Sequence, residues 1–356
     1  MQNIVLYSYP YARARTIESQ LLKQDVYDKL INSRDINEIT SYLMETHYRD
    51  YLNTFGSKYS GVDLIEISIN SFITRISRII LNMTPRMSLD AVRAYVAKYD
   101  ISNIKVIFSS KILGKPIKES EMFLLSESDI PVGIVAGSLN NEDFKILMNE
   151  DIEGAIKYLL KFPYGRILME NMESFKKSND IGELLISLDL FYYRNLKEKV
   201  KIFMGNELPF LKLIENQIDA RNIMTIIRAL SLNIPGNEIK NYIIDGGSLN
   251  FQKLEDVSRS NTIDEVVEKL RDHYDLSSAL EAYKLEKDLK EFEIQLDKYI
   301  IEKNIPGFRI VSPGLSSIIG LMLMFETERE NIRRIAYSKL YGLSNERIKT
   351  LLVKVI

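Results

Sequence analysis

The spacing of apolar residues along the chain predicts helices. In residues 218–231, Ile223, Ile226, Ile227 and Leu230 stand at positions i, i+3, i+4 and i+7, which places them on one face of a helix. Residues 284–303 keep a comparable apolar spacing among many lysines and glutamates, which predicts one amphipathic surface helix. The alternation typical of β-strands is scarce. The pattern therefore predicts an all-α fold.

A polar pair recurs three times within these predicted helices. An acid stands three residues before an Asn-Ile pair at Asp100 and Asn103, at Asp219 and Asn222, and at Glu328 and Asn331. The register continues downstream, because an Ile follows seven residues after each acid, at Ile107, Ile226 and Ile335. The shared spacing and the shared tail indicate an internal repeat.

Other blocks repeat with the same order. Residues 35–48 align with residues 151–164, and more loosely with residues 262–274, and each block ends in a Tyr. The tetrapeptide GSLN occurs at residues 137–140 and again at 247–250. We therefore predict three similar helical domains, at residues 1–137, 138–247 and 248–356.

The repeated acid and Asn have two interpretations. A polar pair beside an apolar helix face must be satisfied, so the first interpretation is structural: the side chains bond to backbone or to neighbouring side chains where helices cross. The alternative is a contact with another protein. We expect the structural role at all three positions.

Composition narrows the classes of protein that the chain can belong to. The 47 basic and 49 acidic residues leave a net charge of −2, so no overall basic field favours nucleic acid. The absence of cysteine excludes disulfides, thiolate metal sites and cysteine nucleophiles. The longest apolar run, residues 314–325, is shorter than the stretch of about 20 residues that crosses a bilayer. It predicts a buried helix of a soluble protein.

Candidate chemistry is sparse. No phosphate-binding GxxxxGK[ST] loop is present, and the two histidines, His47 and His273, lie in no metal-binding HExxH pattern. Glu326, Glu328 and Glu330 alternate among arginines, which is typical of a solvated, ion-paired helix face rather than of a Mg²⁺ site. We expect no catalytic, cofactor or metal site, no direct nucleotide binding and no enzymatic activity.

Two groups of residues are candidates for a partner interface. The N-terminal stretch YSYPYARAR interleaves aromatic and basic side chains, which could stack on nucleic acid, although a docked N-terminal segment fits the charge balance better. Its candidate residues are Tyr7, Tyr9, Tyr11, Arg13 and Arg15. The second group is Arg329, Arg333 and Arg334.

These features together resemble a known family. The N-terminal YxxARxR segment, the block ENQIDARNIMTIIRAL and above all the C-terminal ETERENIRRIAYSKLYGLSNERIKTLLV are similar to the C subunit of the archaeal and bacterial A/V-type rotary ATPase, a relative of the d subunit of the vacuolar enzyme. The resemblance covers the whole chain. The first copy departs most, because Lys98 and Tyr99 precede its acid and no Arg separates the acid from the Asn.

The resemblance implies a mechanical function. Members of this family are all-helical and funnel-shaped, with three similar domains around a pseudo-three-fold axis. The implied role is that of a non-catalytic central-stalk adaptor, which couples the D and F subunits of the shaft to the membrane proteolipid rotor ring, for proton or sodium transport, at the cytoplasmic face of the membrane. Two rivals remain: a generic α-helical repeat scaffold for protein–protein interaction, and a metal hydrolase built on an acid cluster.

Overall fold

The computed structural model describes residues 2–114, 133–178, 180–201, 207–234, 239–310 and 312–353. Within these ranges every regular element is helical and no β-strand is present, which confirms the all-α prediction. Eighteen α-helices are described, together with short 3-10 turns at Arg86–Ser88 and Lys240–Tyr242.

The helices differ widely in length. In chain order they are α1 (Gln2–Glu18), α2 (Gln24–Asn32), α3 (Ile36–Leu43), α4 (Arg49–Phe55), α5 (Gly61–Met83), α6 (Leu89–Leu113), α7 (Asn141–Asn149), α8 (Ile152–Leu159), α9 (Pro163–Glu170), α10 (Met172–Ser178), α11 (Ile181–Lys201), α12 (Leu208–Ser231), α13 (Phe251–Ser258), α14 (Ile263–Leu270), α15 (Ser277–Glu286), α16 (Lys290–Arg309), α17 (Leu315–Leu340) and α18 (Asn345–Leu351). The helices that carry the repeated acid, α6, α12 and α17, are called the acid helices below.

The chain divides into two compact units. The first comprises Met1–Lys199 with Ser312–Leu352, and the second comprises Val200–Val311. The second unit thus joins the end of the expected second copy to most of the expected third. The division at 1–137, 138–247 and 248–356 stays a prediction.

The first unit is built around α5 and α17, which pack against each other. They run antiparallel, because the contacts pair Ser77 with Met322 and, further along, Asn70 with Arg329. The N-terminal half of α17, residues 315–325, is buried on all sides, as its continuous apolar sequence predicts. None of the helices in the described ranges has the length and apolar character needed to span a membrane.

The second unit is built around α12 and α16, with α13, α14 and α15 packed beside them. The single helix predicted over residues 284–303 is wrong, because the chain breaks between α15 and α16. Lys287 takes a left-handed conformation (φ 58°), which ends α15, and the Asp288 side chain accepts a hydrogen bond from Lys290 N (2.9 Å) as α16 begins. Leu285, which the amphipathic pattern placed on the apolar face, is 86% exposed.

Short helices recur with the same N-caps. One set, α3, α8 and α14, begins after Asp35, Asp151 and Thr262, whose side chains accept hydrogen bonds from the backbone three residues on, at 2.9, 2.6 and 3.2 Å. Asn140 and Asn250 cap α7 and α13 in the same way. The repeated sequence blocks therefore fold into the same local structure.

Candidate functional site

The carboxylate of Asp100 lies in a closed pocket made by the chain segment that follows its helix. Asp100 is fully buried on α6. Its Oδ2 accepts hydrogen bonds from Ser138 N (2.6 Å), Ser138 Oγ (3.0 Å), Leu139 N (3.1 Å) and the Tyr164 hydroxyl (2.7 Å). Four donors on one oxygen hold α6 against the turn before α7 and the first turn of α9.

The second unit contains the same pocket around Asp219. This carboxylate is also fully buried. It accepts hydrogen bonds from Ser248 N (2.9 Å), Ser248 Oγ, Leu249 N (3.1 Å) and the Tyr274 hydroxyl (3.0 Å). The repeated GSL tripeptide and the Tyr that ends each repeated block thus form one receptor for the acid.

A glycine makes room for each of these carboxylates. A Cβ atom added at Gly137 would lie 2.2 Å from the carboxylate of Asp100, and one added at Gly247 would lie 1.9 Å from an oxygen of Asp219. No real side chain fits at such distances. The Gly of GSLN is therefore required by the close approach of the backbone to the acid.

The third acid, Glu328, uses residues from the beginning of the chain. Leu22 N (2.5 Å) and the Tyr48 hydroxyl (2.9 Å) donate to its carboxylate, and His47 Nε2 lies 3.2 Å away. Leu22 and Tyr48 take the places that Leu139 and Tyr164 have in the first pocket. No glycine occupies the equivalent place here, and the acid is a glutamate rather than an aspartate.

The repeated Asn forms a second joint beside the acid. Asn103 donates from Nδ2 to Ile134 O (3.0 Å), and its Oδ1 accepts from Gly133 N (3.0 Å). Asn222 exchanges the same two bonds with the backbone of Ile244, at 2.9 and 2.8 Å. The side-chain amide thereby provides hydrogen-bond partners for backbone N–H and C=O groups that lie in neither helix nor strand.

Asn331 takes this position in the third acid helix. It is buried, and its side chain lies beside the hydroxyl of Tyr27. Burial, followed by the charge of Glu328, raises the pKa of Tyr27 well above its ordinary value. The same two causes raise the pKa of Tyr48. Both phenols therefore stay protonated, and Tyr48 remains a hydrogen-bond donor to Glu328.

The electrostatics of the Asp100 pocket are unusual for a carboxylate. Burial raises the pKa of Asp100 from its ordinary 3.8 to about 6, although hydrogen bonds from Tyr164, Ser138 and Leu139 act in the opposite direction. The second oxygen, Oδ1, is buried and accepts no hydrogen bond from the described residues. The pocket therefore binds the ionised form of Asp100 less well than its four donors alone suggest.

The interpretation of the three glutamates as a solvated, ion-paired helix face is wrong for Glu326 and Glu328, whereas the partly exposed Glu330 does pair with Arg329 and Arg333. Glu328 is buried in the third pocket, and the side chain of Glu326 is only 16% exposed. Glu326 accepts hydrogen bonds from the Tyr95 hydroxyl (2.8 Å), from Lys98 Nζ (2.6 Å) and from the Tyr99 hydroxyl. Since α6 supplies all three donors, Glu326 joins two acid helices of the first unit.

The arginines proposed as a partner interface are engaged within the chain. Arg329 donates to Asn70 Oδ1 (2.6 Å) and lies 3.3 Å from Glu66 Oε1, while Arg333 Nε lies 3.1 Å from Glu66 Oε2. Arg334 donates to Leu351 O (3.0 Å). Two of these arginines neutralise Glu66, a buried acid on α5, and so have a structural role whether or not they also meet a partner.

The N-terminal candidate residues lie on α1, which packs against α17. Tyr7 is buried and its hydroxyl bonds to Ser88 Oγ (2.5 Å), whereas Tyr9 is 64% exposed and accepts from Arg13 (3.0 Å). Arg15 pairs with Glu18 (2.7 Å) and stacks over the ring of Tyr11. A contact of these residues with a partner stays a prediction.

The parts of the pockets are visible in the sequence, but the connection between them is not. The GSLN tetrapeptides and the Tyr residues recur in register, and nothing local shows that they close on an acid tens of residues away. Glu66 was missed altogether. A detectable signal was available, because a lone acid inside the apolar run LIEISINSF requires a buried cationic partner.

The pockets hold helices and chain segments together. Each acid accepts hydrogen bonds from backbone amides and hydroxyl groups that belong to the fold. Over the described residues, no group of three or more His, Asp or Glu side chains is arranged to hold a metal ion.

Comparison with known proteins gives one consistent result. Residues 10–351 match the family described as the C/AC39 subunit of ATP synthase. The C subunit of the A-type ATP synthase of Thermoplasma acidophilum is 33% identical over 344 residues, covering 96% of this chain and 97% of the relative. The corresponding protein of Haloferax volcanii is 27% identical over 349 residues, with 97% of each chain covered.

The corresponding protein of Methanocaldococcus jannaschii is more distant, at 25% identity over 354 residues, or 98% of this chain and 86% of the relative. The alignments therefore run through both compact units and through all three acid helices. On this evidence the chain belongs to the C/AC39 family of ATP synthase subunits.

Proposed function

We propose that this protein is the non-catalytic central-stalk adaptor of an A-type ATP synthase. It couples the rotating shaft, formed by the D and F subunits, to the membrane proteolipid ring, and so serves proton or sodium transport without an active site of its own. It lies at the cytoplasmic face of the membrane, held there through the ring.

The observation that carries the proposal is that a buried acid and a buried Asn recur on all three acid helices. An adaptor that transmits torque must resist deformation, and close-packed helices with fully enclosed polar joints are stiff. The acid and the Asn hold α6 and α12 to the chain segments beside them at two points, and Glu328 holds α17 to residues 22–48. A protein with this function needs such contacts in every part of the wall around the shaft, and the chain has three acid helices.

A further contact supports a closed arrangement of the copies. Lys98 and Glu326 occupy the same repeat position, two residues before the acid, and they form an ion pair (2.6 Å) in the first unit. Equivalent residues meet when copies turn about a nearby axis, whereas stacked repeats bring different positions together. We therefore propose three domains around a pseudo-three-fold axis, forming a funnel that receives the shaft.

The test is to capture the tagged full-length chain from detergent-solubilised membranes and to identify its partners by mass spectrometry. We expect the proteolipid and the D and F subunits to be recovered in fixed proportions. Recovery of neither, with unrelated soluble proteins in their place, would favour the generic helical scaffold instead.

A further inference from the structure

Helices α5 and α17 keep one register along their contact in the first unit. Three side-chain contacts mark this register: Ser77 Oγ with Met322 Sδ (3.8 Å), Asn70 Oδ1 with Arg329 Nε (2.6 Å), and Glu66 Oε2 with Arg333 Nε (3.1 Å). From one contact to the next, the position moves by seven residues and then by four, and it does so on both helices. The same antiparallel register therefore holds over a length of about 16 Å.

The apolar residues of α5 do not select this register. On the strip of α5 next to these contacts, one residue type recurs at every turn, and each copy is at most 2% exposed: Ile65, Ile69, Ile73, Ile76 and Ile80. On α17 the buried residues include Met322 and Met324, whose unbranched side chains adapt to irregular surroundings. If α5 moved by one turn, about 5.4 Å, against its neighbours, an isoleucine would again stand where an isoleucine stood before.

The polar residues of the contact do select the register. Glu66 is 3% exposed, and its two oxygens lie 3.3 Å from Arg329 Nη2 and 3.1 Å from Arg333 Nε. The buried Asn70 accepts a hydrogen bond from Arg329 Nε, and its own amide donates to Glu66 (3.4 Å). One acid, one amide and two cations thus satisfy each other only where the two helices are correctly aligned.

A shift of one turn breaks this arrangement in either direction. In one direction Phe325 comes to lie opposite Asn70, whose amide oxygen then has no arginine. In the other direction Arg329, whose side chain is 11% exposed, comes to lie opposite Thr74 and away from Glu66. Both shifts leave Glu66 with no more than one of its two arginines. Both also leave a buried polar group without its partner, which raises the free energy of the shifted state.

We propose that the four polar residues of this contact fix the register of α17 on α5 and thereby position the third acid, Glu328. They are called the register cluster below: Glu66, Asn70, Arg329 and Arg333. Glu326 and Glu328 stand on the same helix just before the first of these arginines, and they bond to α6 and to residues 22–48. A one-turn shift of α17 would carry both acids away from these partners. The inference does not depend on the proposed function.

The register cluster specifies the fold without having to stabilise it. Removing several charges from water is unfavourable, so apolar residues of similar volume in place of a buried ion cluster commonly leave stability unchanged or raise it. The apolar version loses the one arrangement that satisfies every polar group, as when a buried polar residue that sets the register of a coiled coil is replaced. Stability and uniqueness of register should therefore separate.

The test uses introduced cysteine pairs, which report the register without background because the chain contains no cysteine. Met322→Cys is combined with Ser77→Cys to report the observed register. It is combined with Ile73→Cys or with Leu81→Cys to report a shift of one turn in either direction. A disulfide forms only between positions that face each other closely, so an offset of one turn, about 5.4 Å, disfavours it.

Each cysteine pair is placed in the full-length chain with the register cluster intact and in a cluster variant. The cluster variant carries four apolar replacements: Glu66→Met, Asn70→Leu, Arg329→Met and Arg333→Met. A matched control, Lys105→Met with Asp189→Leu, removes another partly buried ion pair of the first unit, between α6 and α11. Disulfide yield and thermal melting are measured for every combination.

With the register cluster intact, we expect only the Ser77 pair to form. In the cluster variant, the yield of the shifted pairs should rise at least about fivefold, while the melting temperature stays unchanged or increases. The control should show the same disulfide pattern as the intact chain. A cluster variant that folds and still forms only the Ser77 pair would overturn the inference, because apolar packing would then fix the register by itself.

A second variant decides the question if the cluster variant does not fold. Glu66→Gln keeps the shape of the side chain and removes the charge that both arginines share. Shifted disulfides in this variant would support the inference. Formation of the Ser77 pair alone in the folded Glu66→Gln protein would overturn it.

Discussion

At the residue scale, each pocket is defined by an acid and by the backbone that closes over it. The glycines of the two GSLN segments are part of this design, because the carboxylates occupy the space where a Cβ would be. The acid, the Asn and the tetrapeptide are visible in the sequence as separate repeats. Their pairing could not be predicted, since it depends on contacts between residues 22 to 39 positions apart in the first two pockets and 306 positions apart in the third.

Replacement of Gly247 by Ala should therefore destabilise the second unit. The new methyl group would meet Asp219, which four donors hold in place, and overpacking of this kind costs about 1–3 kcal/mol. Gly307→Ala is the matched control in the same unit, because its added Cβ would lie 3.6 Å from Pro209, an ordinary contact, within a helix. Chemical denaturation should show a loss of stability for Gly247→Ala only. An equal response of the two variants would contradict the close approach.

The raised pKa of Asp100 makes a second prediction, concerning pH. The folded protein holds this proton up to about pH 6, whereas the unfolded chain releases it near 3.8. The folded state therefore binds more protons between these values, and the contribution of Asp100 to the free energy of unfolding falls as the pH rises from 4 to 6. The loss amounts to at most about 3 kcal/mol.

The measurement is denaturant unfolding of the wild type and of Asp100→Asn at intervals from pH 4 to pH 7. The stability of the wild type relative to the variant should decrease over this range and then level off. A difference that stays constant would show that folding leaves the pKa of Asp100 unchanged, and one that grows with pH would show that the pocket favours the ionised carboxylate. Either result would contradict the prediction.

At the scale of the elements, each acid helix is fixed by its acid, and α6 and α12 are fixed a second time by their Asn one turn later. Six of the short helices, α3, α7, α8, α13, α14 and α18, begin at side-chain caps. At the start of α18, for example, Ser344 Oγ accepts a hydrogen bond from Arg347 N (3.2 Å). Helix ends were harder to predict. The break at Lys287 lies within a continuous amphipathic pattern. It could not be predicted, because a non-glycine residue in the left-handed conformation leaves no local signal in the sequence. Pro235 lies outside the described residues, and α12 already ends at Ser231.

The Asn joint gives the prediction that belongs to this scale. Asn222→Leu would leave the amide and the carbonyl of Ile244 buried without their partner, which should lower stability by about 1–3 kcal/mol. Asn103→Leu should have a similar effect, since it leaves Gly133 N and Ile134 O without their hydrogen-bond partner. We expect Asn331→Leu to lower stability as well. Each variant is compared by chemical denaturation and by affinity for the shaft. Unchanged stability combined with abolished shaft binding would assign the Asn to an interface.

At the scale of the whole molecule, the boundaries of the sequence copies do not coincide with the contacts that complete each pocket. The first two acid helices close onto the segments that follow them, so the start of one sequence copy completes the end of the copy before it. The third acid helix closes onto residues 22–48 instead. Periodicity alone predicted three copies, but where a unit begins depends on which segments touch.

The separate pockets predict which helices gain amide hydrogen exchange when each acid is replaced. Glu328→Ala should leave Leu22 N and the Tyr48 hydroxyl without an acceptor and so increase amide hydrogen exchange in α1–α3, with the second unit unaffected. Asp219→Ala should increase exchange around residues 247–274 and leave α1–α3 protected. Exchange followed by mass spectrometry on both variants checks this. Loosening that spreads equally through both units in each variant would contradict separate pockets.

The central claim is that this chain connects the shaft to the ring, and the most direct measurement is a bridging experiment. Purified rings in liposomes are mixed with the D and F subunits, with or without the full-length chain, and the liposomes are sedimented. We predict that D and F sediment with the ring only when the chain is present, in proportion to the chain bound. Sedimentation of D and F without the chain, or their failure to sediment when the chain is bound to the ring, would contradict the account.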